Sequence, residues 1–167
     1  MTVPLPLGEV FQFFEDPRNL ARITPPELNF RVSTAGKIEM RTGALIDYTI
    51  RWLGLPLKWR TRITAYEPPQ FFVDEQLEGP YKLWRHRHDF REVDGASRIS
   101  DCVEYELPLG ILGRVAHALV VGRQLRGIFA YRQRAIASIL GVPGIQFTDP
   151  EIATPGTPKD MRSGEEL

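Results

Sequence analysis

Hydrophobic and polar residues change their period twice along the chain, and the changes divide it into three regions. Over residues 7–15, Leu7, Val10, Phe11 and Phe14 recur at helical spacing and the pattern stops before Asp16-Pro17, which predicts a short amphipathic helix. Asp16 as an N-cap and Pro17 at the first position predict a second short helix to about Ile23, ended by Pro25-Pro26. From Leu28 the period becomes two, with strands expected near 28–34, 43–53, 57–66, 70–77, 82–93 and 96–107. Ala35-Gly36, Leu53-Gly54-Leu55-Pro56, Pro68-Pro69, Gly79-Pro80 and Asp94-Gly95 fall between these runs, where turn chemistry belongs. Strands following one another through such short connections imply an antiparallel meander of about six strands.

The third region, from about 111 to 140, contains no proline and carries Leu112, Val115, Ala116, Leu119, Phe129, Ile136, Ile139 and Leu140. It reads as one long helix, with Arg114, Arg123, Arg126, Arg132 and Arg134 on its other faces. After Gly141 the chain is rich in Pro, Gly and charge and has no hydrophobic period. One domain is therefore expected over residues 1–141, followed by a disordered tail over 142–167. The fold class is α+β.

The segment from Tyr81 to Asp101 is the most unusual. Alternation places Trp84, His86, His88 and Phe90 on one side of a strand, and Leu83, Arg85, Arg87, Asp89 and Arg91 on the other. Asp94-Gly95 signals a two-residue hairpin turn, which sets His88 opposite Asp101, Phe90 opposite Ile99, His86 opposite Val103 and Trp84 opposite Tyr105. A turn at Glu78–Tyr81 would then set Glu75 opposite Trp84, Val73 opposite His86 and Phe71 opposite His88. The upstream strands add Tyr48, Trp52 and Trp59 to the same inner face. The candidate ligand-binding set is thus Tyr48, Trp52, Trp59, Glu75, Trp84, His86, His88, Asp101 and Tyr105. An aromatic face with convergent polar groups suits a small-molecule pocket better than a dry core. The arginines at 60, 62, 85, 87 and 91 read as a solvated outer face, with Asp47, Asp74 and Glu104 as cross-strand partners.

Composition narrows the partners. The 167 residues are 43% hydrophobic and 25% charged with a formal net charge of zero, so nothing favours nucleic acid or an anionic membrane surface. No apolar run is long enough to span a bilayer, and no secretion signal opens the chain, so a cytoplasmic location is expected. The single cysteine, Cys102, cannot form an internal disulfide and reads as structural. His117 reads as a packing or surface residue of the long helix.

The chemistry of His88 and Asp101 stays open between two readings. A carboxylate-oriented imidazole can serve as a general base, and the same pair can be a buried hydrogen-bonded contact or a ligand anchor. His-x-His with a carboxylate could supply metal ligands, but no metal or other cofactor is expected.

Pro4–Pro26, with Val10-Phe11, Phe14, Asp16 and Asn19-Leu20, resembles the opening signature of bacterial members of the START-like (SRPBCC) superfamily. Phe71–Gln76, Gly79-Pro80-Tyr81, Trp84–His88, Asp101–Tyr105 and Pro108-Leu109-Gly110 are similar to a ligand-binding, cyclase/dehydrase-like branch of it. The resemblance spans about residues 3–140. It implies a helix-grip fold, in which a curved antiparallel sheet wraps a long C-terminal helix over a hollow that takes an apolar or amphipathic molecule. Relatives act as lipid or quinone carriers, polyketide aromatase/cyclases or hormone receptors.

The family's first strand is missing here or very short, since only Met1-Thr2-Val3-Pro4 precedes the proline-rich start. Either the true start lies upstream, the favoured expectation, or the missing strand leaves a sheet edge unpaired that could support a homodimer. The leading functional reading is non-enzymatic binding or carriage of a small hydrophobic or amphipathic molecule. The alternative is an aromatase/cyclase- or hydrolase-like enzyme using His88 and Asp101 as acid/base. A third is a toxin or quinone chaperone working through protein contacts.

Overall fold

The computed structural model describes residues 1–52, 54–108, 120–148 and 151–152. Eight strands lie among these residues: β1 (Thr2–Val3), β2 (Arg31–Val32), β3 (Leu45–Trp52), β4 (Leu55–Glu67), β5 (Phe71–Glu78), β6 (Leu83–Val93), β7 (Ala96–Glu106) and β8 (Glu151–Ile152). The helices are α1 (Leu7–Glu15) and α2 (Gly122–Leu140), with 3-10 segments at Pro17–Ile23 and Pro26–Leu28. Strands run in the order β1-β7-β6-β5-β4-β3-β2, every neighbouring pair antiparallel, and β8 adds to β7 in parallel. This is the expected α+β helix-grip architecture.

The β6–β7 hairpin has the register read from its turn. Asp94 and Gly95 both adopt positive φ, 53° and 76°, as a tight turn matched to strand twist requires. Val93↔Ala96, Phe90↔Ile99, His88↔Asp101, His86↔Val103 and Trp84↔Tyr105 follow. The β5–β6 register differs from the expectation by one residue: Phe72 faces His88, Asp74 faces His86 and Glu75 faces Arg85. The Gln76 side chain sits within the connection. Its amide donates to the Tyr81 carbonyl at 2.7 Å and accepts from the Tyr81 N–H at 3.3 Å, so a wider connection replaces the assumed four-residue turn. Because side chains alternate, the single step exchanges the two faces of β5.

Packing of α1 follows its sequence stripe. Val10, Phe11 and Phe14 are buried, and the Phe11 and Phe14 rings meet Phe90 edge-on at 5.2 and 5.0 Å. Asp16 caps the following segment by accepting from the Arg18 N–H at 3.0 Å, with Pro17 at its first position; that segment is 3-10 rather than α. The strand expected over 28–34 is reduced to β2, because Pro26–Leu28 forms a 3-10 turn closed by Asn29 in the left-handed region.

The first strand is present and very short, as expected: β1 pairs with Ser97 and Arg98 of β7, and the Ser97 hydroxyl donates to the Leu5 carbonyl at 2.7 Å. The chain after α2 is also part of the fold rather than a detached tail at residues 142–148 and 151–152. Thr2 and Gln146 exchange backbone hydrogen bonds at 2.8 and 2.9 Å, the Gln133 amide clamps the backbone of Thr148, and β8 lies beside Cys102 and Val103. Val142 and Ile145 supply the apolar contacts that the missing hydrophobic period concealed. The β7 edge is therefore covered over Ser97–Arg98 and Cys102–Val103, where an open edge had suggested self-association. The beginning of the long helix predicted from 111, including His117, and the rest of the tail lie outside the described residues.

Buried apolar residues form two clusters. The larger joins α1 to the sheet through Phe11, Phe14, Phe72, Phe90 and Ile99, and the smaller joins α2 to the sheet through Val103, Tyr105, Leu125 and Phe129. Phe90, 1% exposed and ringed by Phe11, Phe14 and Phe72, anchors the larger one. Phe90→Ala should lower unfolding free energy by about 3–5 kcal/mol in urea denaturation; a loss below about 1 kcal/mol would contradict this packing.

Candidate functional site

Between the two apolar clusters lie four ionisable side chains. His86 and His88 stand two residues apart on β6 and so share its inner face, and the adjacent strands supply Asp74 from β5 and Asp101 from β7. The four close a ring. His86 Nε2 donates to Asp101 Oδ1 at 3.0 Å, and His88 Nε2 donates to Asp74 Oδ2 at 3.2 Å. His88 Nδ1 comes within 2.9 Å of the same Asp101 oxygen but out of line for a hydrogen bond, and His86 Nδ1 lies 3.5 Å from Asp74 Oδ2. The imidazole centroids are 3.8 Å apart.

Burial raises the cost of charge on every member, and the ring settles which groups carry it. Burial alone would push Asp101 up, but the hydrogen bond of His86, the close approach of His88 and the charges of both hold it well below the usual carboxylate range. Asp74 is likewise held low against burial by His88, His86 and Arg132. For His88 burial favours the neutral ring, yet the close approach of Asp101, the hydrogen bond to Asp74 and the charges of both raise its pKa overall. For His86 burial and the neighbouring His88 win over Asp101 and Asp74, and its pKa falls. The ring thus holds two carboxylates, one imidazole biased towards the cation and one biased towards neutrality.

Beside it is a cavity of about 190 Å³ between the sheet, the Pro17–Ile23 segment and α2. Ile46, Tyr48, Ile50, Trp59, Thr61, Ile63, Phe72 and Trp84 line it from the strands, Phe14, Leu20 and Ile23 from the N-terminal elements, and Leu125, Ile128 and Phe129 from α2. Asp74, His86, His88 and Arg132 form its charged wall. Tyr48 and Trp59 are stacked at 5.6 Å and 19°, Trp84 meets Trp59 edge-on at 5.3 Å, and the Tyr48 hydroxyl pairs with Thr61 Oγ1 at 3.1 Å. Burial, with Asp74 nearby, pushes the Tyr48 phenol well above its ordinary pKa, so it stays protonated.

The structure brings Tyr48, Trp59, Trp84, His86 and His88 to the cavity wall together. Asp101 stands behind the imidazoles rather than on the wall, and Tyr105, 1% exposed, is packed in the second cluster against Tyr81 and Trp84. The Trp52 side chain lies outside the described residues. Glu75 is on the opposite face of the sheet, 3.2 Å from Arg85 Nε, and Asp74 takes the inner place expected for it. On the outer face Arg60 pairs with Asp47 at 2.7 Å and Arg87 with Asp89 at 2.8 Å, so the arginine ladder is answered there without Asp74.

Arg132 is the second residue not anticipated. It is 8% exposed, and it continues the buried stripe Leu125, Phe129, Arg132, Ile136 of α2. That three- and four-residue spacing was the available signal, masked by counting every arginine as surface. One atom each from Asp74, His86 and His88 lies within 4.8 Å of the others, close enough to share a metal ion. Binding there would compete with the hydrogen bonds that both Nε2 atoms make within the ring.

A sheet closed by a long helix over an aromatic cavity defines a helix-grip protein. The chain belongs to the family described as polyketide cyclase / dehydrase and lipid transport, whose model matches residues 3–130. Similar solved structures include Ms6760 from Mycobacterium smegmatis, 19% identical with a TM-score of 0.62, covering 84% of this chain and 87% of that one. TTHA0849 from Thermus thermophilus is 16% identical with a TM-score of 0.57, covering 83% and 94%. The ginseng major latex-like protein 151 from Panax ginseng is 12% identical with a TM-score of 0.60, covering 83% and 92%. At these identities the likeness is one of fold. No curated protein sequence matches significantly. Among the described residues no helix is long and apolar enough to cross a membrane.

Three measurements check the site. Asp74→Ala leaves His88 without its Nε2 partner and should cost about 3–5 kcal/mol, whereas Glu75→Ala removes a half-exposed pair and should cost less than about 1 kcal/mol; equal losses in urea denaturation would reject the β5 register. In NMR titrations, His88 should titrate above and His86 below the free-imidazole value near about 6.5, and Asp101→Asn should bring His88 down. The sign for Asp101 is that of a depressed carboxylate. Its stabilisation is present above the unfolded value of about 3.9 and is lost as pH falls through the folded pKa, so Asp101→Asn should flatten the acid limb of the stability curve.

Proposed function

We propose that the chain binds and carries a small hydrophobic or amphipathic molecule, of a lipid, quinone or polyketide-like kind, between the sheet and α2. The observation that carries this reading is the segregated lining: aromatic and aliphatic walls on most sides, with Asp74, both histidines and Arg132 gathered on one. Burial of an apolar body supplies affinity in such a cavity, and a few fixed polar groups set orientation. The family's description supports hydrophobic-ligand binding in general.

The ring geometry favours orientation over acid/base chemistry. Both Nε2 atoms are already donors to carboxylates, and the environment favours the protonated form of His88. A general base needs a free lone pair near the operating pH. An imidazolium on the cavity wall can still donate a hydrogen bond to a carbonyl, which keeps a cyclase- or hydrolase-like reaction as the second reading.

Native mass spectrometry of the purified protein should reveal a co-purified hydrophobic molecule that is lost on denaturation; its repeated absence would count against carriage. Once such a molecule is in hand, His88→Ala should weaken its binding. Abolished turnover at unchanged affinity would instead favour the enzymatic reading.

A further inference from the structure

The cavity wall contains buried donors with no acceptor. Arg132 Nε and Nη1 have no hydrogen-bond partner, and neither does Trp59 Nε1, although Arg132 and Trp59 are only 8% and 6% exposed. A guanidinium cannot shed its proton to escape burial; Asp74 answers part of its charge at a distance, but a buried N–H without an acceptor is still costly. Phe129 offsets part of this, with the Arg132 Cζ 4.8 Å from its ring centroid. Ring faces do not accept N–H bonds as an oxygen does, so those nitrogens still lack acceptors. The carboxylates among the described lining residues are engaged elsewhere, Asp74 by His88 and Asp16 by the Arg18 N–H.

These nitrogens all carry hydrogen, so the missing complement is an acceptor, and the fixed positive charge of Arg132 selects a negative one. Around it the walls are flat and aromatic: Tyr48 stacks on Trp59, with Trp84 at its edge. The volume of about 190 Å³ limits the size of the body the cavity can enclose.

Building on the binding function proposed above, we infer that the preferred ligand is an organic anion, a compact aromatic or polycyclic body bearing a carboxylate or similar oxyanion that pairs with Arg132. Trp59 Nε1 offers a further donor to an oxygen on the ring body. Orientation follows, since the charged end must lie towards α2 and the rings along Tyr48, Trp59 and Trp84.

Displacement of the neutral fluorophore N-phenyl-1-naphthylamine from the full chain tests this. 1-Naphthoate should displace it at concentrations at least about tenfold lower than the matched neutral 1-naphthalenemethanol, the scale of one charge-assisted hydrogen bond. Arg132→Gln should reduce that preference, read as the ratio of the two displacement concentrations within the same variant, to less than about threefold, and Arg132→Lys should retain part of it. Equal displacement of the wild-type protein by the two naphthalenes would overturn the anion inference and leave the binding reading standing, without depending on any variant's folding. No fluorophore binding and no displacement by either compound would overturn both. An unchanged preference in a folded Arg132→Gln protein would show that another group selects the charge.

Discussion

The closed ring of Asp74, His86, Asp101 and His88 is the constraint on which the rest of the structure depends. Four ionisable groups have left water at the centre of the sheet, at a desolvation cost of several kcal/mol for each ion. That cost is offset only while each carboxylate faces imidazole nitrogens, so three strands must keep one mutual register. A one-residue slip of β5 that set Val73 in place of Asp74 would strand a charged His88. The outer-face pairs Arg85–Glu75 and Arg60–Asp47 agree with the same registers but are half-exposed and add little energy.

The ring also explains why the apolar interior is divided. Along β6, Phe90 belongs to the cluster under α1, His88 and His86 follow, and Trp84 packs with the cluster under α2. On β7 the sequence Ile99, Asp101, Val103 repeats that order. A continuous hydrophobic core would have closed the space between sheet and helix. A polar band across the strands prevents this, and the cavity lies against that band with aromatic walls on either side. Arg132 adds a third cation-capable group from α2, opposite the sheet, which makes the site a joint product of strand and helix.

Much of this was legible along the chain where structure is local. Alternation and the Asp94-Gly95 turn were enough for the β6–β7 register and for His88 against Asp101, because a two-residue turn allows only one pairing. The Leu7–Glu15 stripe and the Asp16 cap were legible for the same reason. Phe71–Gln76 was not, since both of its faces mix apolar and charged or polar residues and its connection to β6 is closed by the Gln76 side chain bonding Tyr81 rather than by a short turn. Arg132 shared the helical spacing of Leu125, Phe129 and Ile136, but its burial reverses what arginine ordinarily does.

The amino-acid sequence by itself determined the order of elements, the antiparallel hairpin and the presence of histidines, a carboxylate and aromatics on one face. These follow from periodicity and turn stereochemistry, which act over a few residues. Tertiary structure decided that Asp74 and not Glu75 joins the histidines, that Asp101 stands behind them, that Arg132 points inward, and that residues 142–148 and 151–152 complete the β7 side of the sheet. Those outcomes depend on balancing desolvation against partners contributed by distant segments, and no local pattern records that balance.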